Sequence, residues 1–316
     1  MSLIYPLMII FYWIFLSGAV FVIGAYASKI IITVPSGADI CIPQGKDKSC
    51  GESAALVIFL ISTISLTANI AHLILHASII TETPLNEVFS MLPLFVMKTR
   101  YGIFSLYRTI LLLIIVLISL YSVKKDGKLV NVSGIIFSLL LVITLTMSGH
   151  QGTKGYLNFT FLIDNLHIIA ISFWIGGLLF IRLCYSYFFT ASDVSFRGTF
   201  LSLINKFSQF VTISVLFVGV TGLGLFIYNL ESVISPLIGW YGFILIFKTF
   251  LAIILITLGG INKFFFLPRI NGIESEKWSE LVQTRRRLNN FMTTEIIIAL
   301  GIILITSLLT HLSPGV

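Results

Sequence analysis

His72 and His76 stand four residues apart in this 316-residue chain. On a helix that spacing puts both rings on one face, one turn apart, with Cβ atoms about 6 Å from each other. Two imidazoles so placed form a chelate for an ion such as copper or zinc. Three more histidines, His150, His167 and His311, bring the count to five. Asp164 lies three residues before His167, where a carboxylate can orient the ring from the second shell of a metal site. Met147 precedes His150 by three and offers a soft thioether; Met91 and Met97 read as space-filling. Cys41 and Cys50 share one loop and read as two free thiols, with a two-thiolate exit site as the alternative.

The composition dictates what must position these groups. The chain is 57% hydrophobic and only 10% charged, with a mean hydropathy of +1.03. Soluble domains carry about 25% charged residues, so the solvent for most of this chain is lipid. A helix needs about 20 apolar residues to cross the hydrocarbon core. Eight stretches qualify: Leu3–Ala27, Ala54–Ile80, Tyr101–Val123, Val130–Ser148, Phe161–Cys184, Phe207–Asn229, Trp240–Phe266 and Leu288–Leu312. Turn-formers such as Lys125-Asp126-Gly127-Lys128 link them, and barrel-type alternation is absent. The expected fold is all-α, a polytopic membrane protein with eight transmembrane helices. Residues 1–148 form one four-helix half and residues 149–316 another, within one integrated membrane domain. Residues 81–100 read as an outer loop, and 275–288 as a short interfacial segment. No charge precedes the first apolar run and no small-residue cleavage site follows it, so the N-terminus reads as an uncleaved first helix.

Positive residues prefer cytoplasmic loops. Placing the loop at 35–53 inside puts fifteen of the twenty Lys and Arg residues on the cytoplasmic side. Both termini are then outside, and all five histidines fall at outer helix ends or in outer loops. The Arg285-Arg286-Arg287 run reads as a topology anchor. Lys248 and Glu295 lie within spans, where charge is costly and must find a partner in the bundle; helix rise separates them by about 12 Å in depth. They read as an ion relay or as structural ties. Glycines at 176, 177, 219, 222, 224, 259 and 260 read as helix-packing positions. The net charge of +7 is accounted for by topology and implies no nucleic-acid partner. No phosphate-binding loop or catalytic constellation is present, so neither an ATPase nor another enzyme is expected.

The second half carries a resemblance. The run Asp164-Asn165-Leu166-His167 through Phe173-Trp174-Ile175-Gly176-Gly177 is similar to the "LH…WxGG" signature of the copper resistance protein D (CopD) family. Similar stretches follow at Lys206-Phe207-Ser208, Thr221-Gly222, Tyr241-Gly242 with Lys248, and Arg285 through Glu295, with Ser148-Gly149-His150 ahead of them. The resemblance covers about residues 147–312, and the first 140 only as a hydrophobic outline. It implies an inner-membrane protein of eight helices that handles periplasmic copper, often beside a small periplasmic copper-binding partner. The motif residues it carries over are His150, His167, Trp174, Lys248 and Glu295.

The expectation is therefore a multi-pass membrane protein that binds copper ions at the outer face and moves them inward. Its candidate ligands are His72, His76, His150, His167, His311 and Met147; Asp164 would act from the second shell, and Lys248 and Glu295 as relay. One alternative is a membrane haem protein with haem b held by two histidines, such as His72 or His76 with His167. Another is a non-catalytic subunit or assembly factor bound to other membrane subunits.

Overall fold

The computed structural model describes residues 3–33, 50–149, 158–184, 197–228, 240–272 and 278–312. Every regular element among them is helical. In chain order these are α1 (Ile4–Thr33), α2 (Cys50–Ile80), α3 (Val88–Lys98), α4 (Arg100–Lys124), α5 (Lys128–Ser148), α6 (Phe159–Ile171), α7 (Gly177–Cys184), α8 (Arg197–Tyr228), α9 (Trp240–Ile261), α10 (Leu267–Gly272) and α11 (Trp278–His311). A π-turn at Ser172–Gly176 joins α6 to α7, and another at Asn262–Phe266 joins α9 to α10. Eight segments are long and apolar enough to cross a membrane. In lipid a continuous helix satisfies every backbone donor and acceptor within itself, which is why such runs fold this way.

Three local readings are corrected. The outer segment at 81–100 is not all loop: α3 forms there and turns Val88 and Phe95 inward. The segment at 275–288 is no separate interfacial piece, because α11 runs unbroken from Trp278. The helix of the seventh span continues through its π-turn to Gly272, with the span itself ending at Ile270, four residues beyond Phe266. At α3/α4 the boundary is a cap, with the Thr99 hydroxyl accepting from the Gly102 amide at 2.9 Å.

α1 is the central helix and touches α2, α5, α11 and the first π-turn. Its closest approach is backbone to backbone: a Cβ on Gly24 would overlap Gly176, Gly177 and the Ser172 carbonyl, and one on Gly176 would overlap the Val20 carbonyl. Small residues at such a crossing are what lets helices associate where lipid supplies no hydrophobic drive. Gly219 and Gly260 have no neighbour that a Cβ would meet, so these two are not packing positions. At the other extreme, α8 and α9 expose Leu216, Val220, Leu223, Phe247, Phe250 and Ile253, the apolar faces expected of helices that meet lipid.

Polar ties set the register of α1 against α11. The Trp13 indole donates to the Leu300 carbonyl at 3.0 Å and the Ser307 hydroxyl to the Ile9 carbonyl at 2.7 Å. Tyr5 donates to the carbonyl of His311. The opposite end of the bundle is tied by Lys29 of α1 to Asp126 after α4, 2.8 Å apart. The first and last helices thus meet where His311 stands.

Candidate metal centre

Three of the candidate histidines come together. His72 and His76 lie in the last turns of α2, and His311 is the last residue of α11. The Nε2 atoms of His72 and His311 are 3.0 Å apart. The His72 ring is centred 5.7 Å from that of His76, and the His76 ring 6.5 Å from that of His311. His72 is only 1% exposed and lies eight residues before the end of the span Ala54–Ile80.

Aromatic side chains build the walls. Tyr12 of α1 lies 4.7 Å from the His72 ring and meets His311 edge-on at 5.1 Å. Tyr101, in the first turn of α4, stacks on His76 at 4.2 Å, and its hydroxyl is 2.7 Å from His72 Nδ1. Phe95 of α3 closes the side of His76 at 6.1 Å. Behind Tyr101 stands Arg108, fully buried, with its guanidinium over the Tyr101 ring at 5.1 Å and the Phe15 ring at 5.6 Å.

The hydrogen bonds assign the protons of the neutral rings. His311 Nδ1 lies 2.7 Å from the Ser307 carbonyl; a carbonyl only accepts, so Nδ1 carries the hydrogen and Nε2 keeps its lone pair. His72 Nε2 then donates to His311, and His72 Nδ1 accepts from Tyr101. The Nδ1 of His76 is buried with no partner, a lone pair or N–H left unused.

Two imidazole nitrogens on one tetrahedral ion, with bonds of about 2.0 Å, sit about 3.3 Å apart. The His72–His311 pair needs to open by only a few tenths of an ångström, with Tyr101 ready to accept from His72 Nδ1 once Nε2 gives up its hydrogen. Among the described residues no group of three or more His, Cys, Asp and Glu side chains already stands in metal-binding array. The cluster is a donor set in contact with itself, with a third imidazole one ring away.

The other candidates fall elsewhere. His167 Nδ1 is bonded to the Thr221 hydroxyl at 2.8 Å, and its ring packs against Gly222. The group on that nitrogen comes from another helix. This is α8, which brings a hydroxyl on one residue and a bare backbone on the next against the ring. Lys248 lies half-buried on α9. Glu295 is bonded by the Asn262 amide in the second π-turn. Glu295 also lines a cavity of about 250 Å³ with Asn262, Lys263, Met292 and Trp174. The carbonyl of Met147 accepts from Arg100 at 2.9 Å. His150 and Cys41 lie outside the described residues.

Tyr12, Tyr101 and Arg108 were not read from the sequence as site residues. Arg108 carried a signal, being a charge within an apolar span; the tyrosines carried none.

Fold and site together define a multi-pass α-helical membrane protein with imidazoles gathered at one end of its bundle. The family model described as copper resistance protein D matches residues 201–309, and the copper resistance protein D-like N-terminal domain matches residues 3–157. The two cover most of the chain, which belongs to the copper resistance protein D family. The N-terminal half is therefore more than a hydrophobic outline, while the Asp164–Gly177 run falls between the matched segments. No curated protein and no solved structure matches the chain.

Proposed function

We propose that this protein captures copper at the outer face of the cell's inner membrane, on His72, His76 and His311, and passes it inward. The observation that carries the reading is the contact between His72 and His311, brought from the second and last spans to 3.0 Å. Family membership supports copper as the ion, and the loop charge bias supports the outer placement of this end.

His167 with Asp164 and Lys248 is the next polar station, and Glu295 with Asn262 and Trp174 the station toward the basic end. His150 and Met147 are auxiliary donors from the segment after α5. Passage is driven by the ion's gradient or by protons, with Lys248 and Glu295 as the relay groups. The two four-helix halves work as one unit, and a periplasmic copper-binding protein delivers the ion.

The test is copper and iron per chain, by elemental mass spectrometry on detergent-purified protein, for the wild type and for His72→Ala plus His76→Ala. Near-stoichiometric copper that falls by most of its value in the double variant is the expected result. Full retention removes this pair from the site, and iron near one per chain replaces the copper reading with bis-histidine haem.

A further inference from the structure

We propose that Arg108 sets the charge of the ion this cluster accepts, making it a site for monovalent Cu(I) rather than for a divalent ion. The inference rests on the proposed capture site. Imidazole donors serve copper in either oxidation state and serve zinc as well, so the three rings alone do not select. The group beside them does.

Arg108 is 0% exposed within the span Arg100–Lys124. Its Nη1 and Nη2 atoms are buried with no hydrogen-bond partner, while its Nε reaches the Phe104 carbonyl at 3.4 Å. No carboxylate among the described residues forms an ion pair with it; the two such pairs are Lys29–Asp126 and Arg269–Glu280. What faces the guanidinium is the ring of Tyr101 on one side and that of Phe15 on the other. Tyr101 in turn holds His72 by its hydroxyl and His76 by its face. Arg108 thus stands one side chain behind both histidines.

An arginine stays protonated throughout the physiological range, so this charge is permanent. Its repulsion of a captured ion scales with the ion's charge, doubling from a monovalent to a divalent species at the same place. The ligands are neutral and no acid joins them, so a divalent ion brings the buried group to three positive charges against two for Cu(I). Where water is excluded, that difference is felt most.

The experiment titrates the detergent-purified full chain with Ag(I), a redox-inert stand-in for Cu(I), and with Zn(II). It compares the wild type with Arg108→Gln, Arg108→Met and Arg108→Lys, each checked for helix content. Removing the charge is expected to tighten Ag(I) on the order of tenfold and Zn(II) by about the square of that factor; Arg108→Lys keeps the wild-type ratio. An unchanged Ag(I) to Zn(II) ratio in Arg108→Gln or Arg108→Met overturns the inference and leaves the capture site standing. Zn(II) binding more tightly than Ag(I) in the wild type overturns it without any variant. Absence of binding in the wild type, or binding indifferent to His72→Ala plus His76→Ala, removes the site and this inference together.

Discussion

Tyr101 is the hinge of the cluster at the scale of single residues, since one side chain bonds His72, stacks on His76 and receives Arg108. Groups that orient a metal-binding imidazole typically contribute 10–100-fold in affinity. Tyr101→Phe keeps the stack and removes the hydroxyl, so copper affinity is expected to fall by about that factor with helix content unchanged; a chelator competition titration reads it. His311→Ala is expected to lose as much copper as His72→Ala, because either change leaves one nitrogen where two met. The His72/His76 pair was legible because four-residue spacing fixes a shared face whatever the tertiary fold. His311 was legible only as a histidine on the same side, since nothing in sequence says which spans pack together. That Thr221 holds His167 Nδ1 was not legible, because it arrives from a helix more than fifty residues away.

At the scale of elements, the crossing of α1 over the Ser172–Gly176 turn decides whether the bundle closes. Gly176→Leu places a side chain where the Val20 carbonyl already stands. Overpacking costs about 1–3 kcal/mol where neighbours can shift, and more where they are backbone, so thermal unfolding in detergent is expected several degrees lower. Gly260→Ala, in open space, is expected to hold or raise the midpoint. Long apolar runs fixed all eight spans in advance because length and hydropathy are properties of the sequence. The π-turns were not legible: each inserts a residue without any change of composition. Yet the second of them supplies Asn262 to Glu295. Glu295→Leu is expected to destabilise the fold by leaving that buried amide without its acceptor, and Glu295→Gln to cost less; the same melting experiment separates them.

Among the described residues His72, His76 and His311 gather at one end of the bundle, and the proposed orientation puts that end outside. In a chain stripped of its native cysteines, Thr83→Cys, just beyond His76, is expected to react with a membrane-impermeant maleimide on intact spheroplasts. Lys125→Cys is expected to react only after lysis. The reverse pattern would place the cluster in the cytoplasm and reverse the proposed direction of passage. Family membership settles the ancestry of both halves, whereas the apolar outline alone spoke only to the number of spans.

The tie between α1 and α11 has a consequence for how the protein is made. His72 enters the membrane with the second span, but its partner His311 is the last residue of the last one. Until α11 is made, His72 faces no imidazole from it, and Tyr5, Ile9 and Trp13 await their partners on that helix. The cluster is therefore assembled only once α11 is in place, so an intermediate that lacks α11 cannot offer His311 beside His72. The arrival of α11 is itself the event that brings the two imidazoles together.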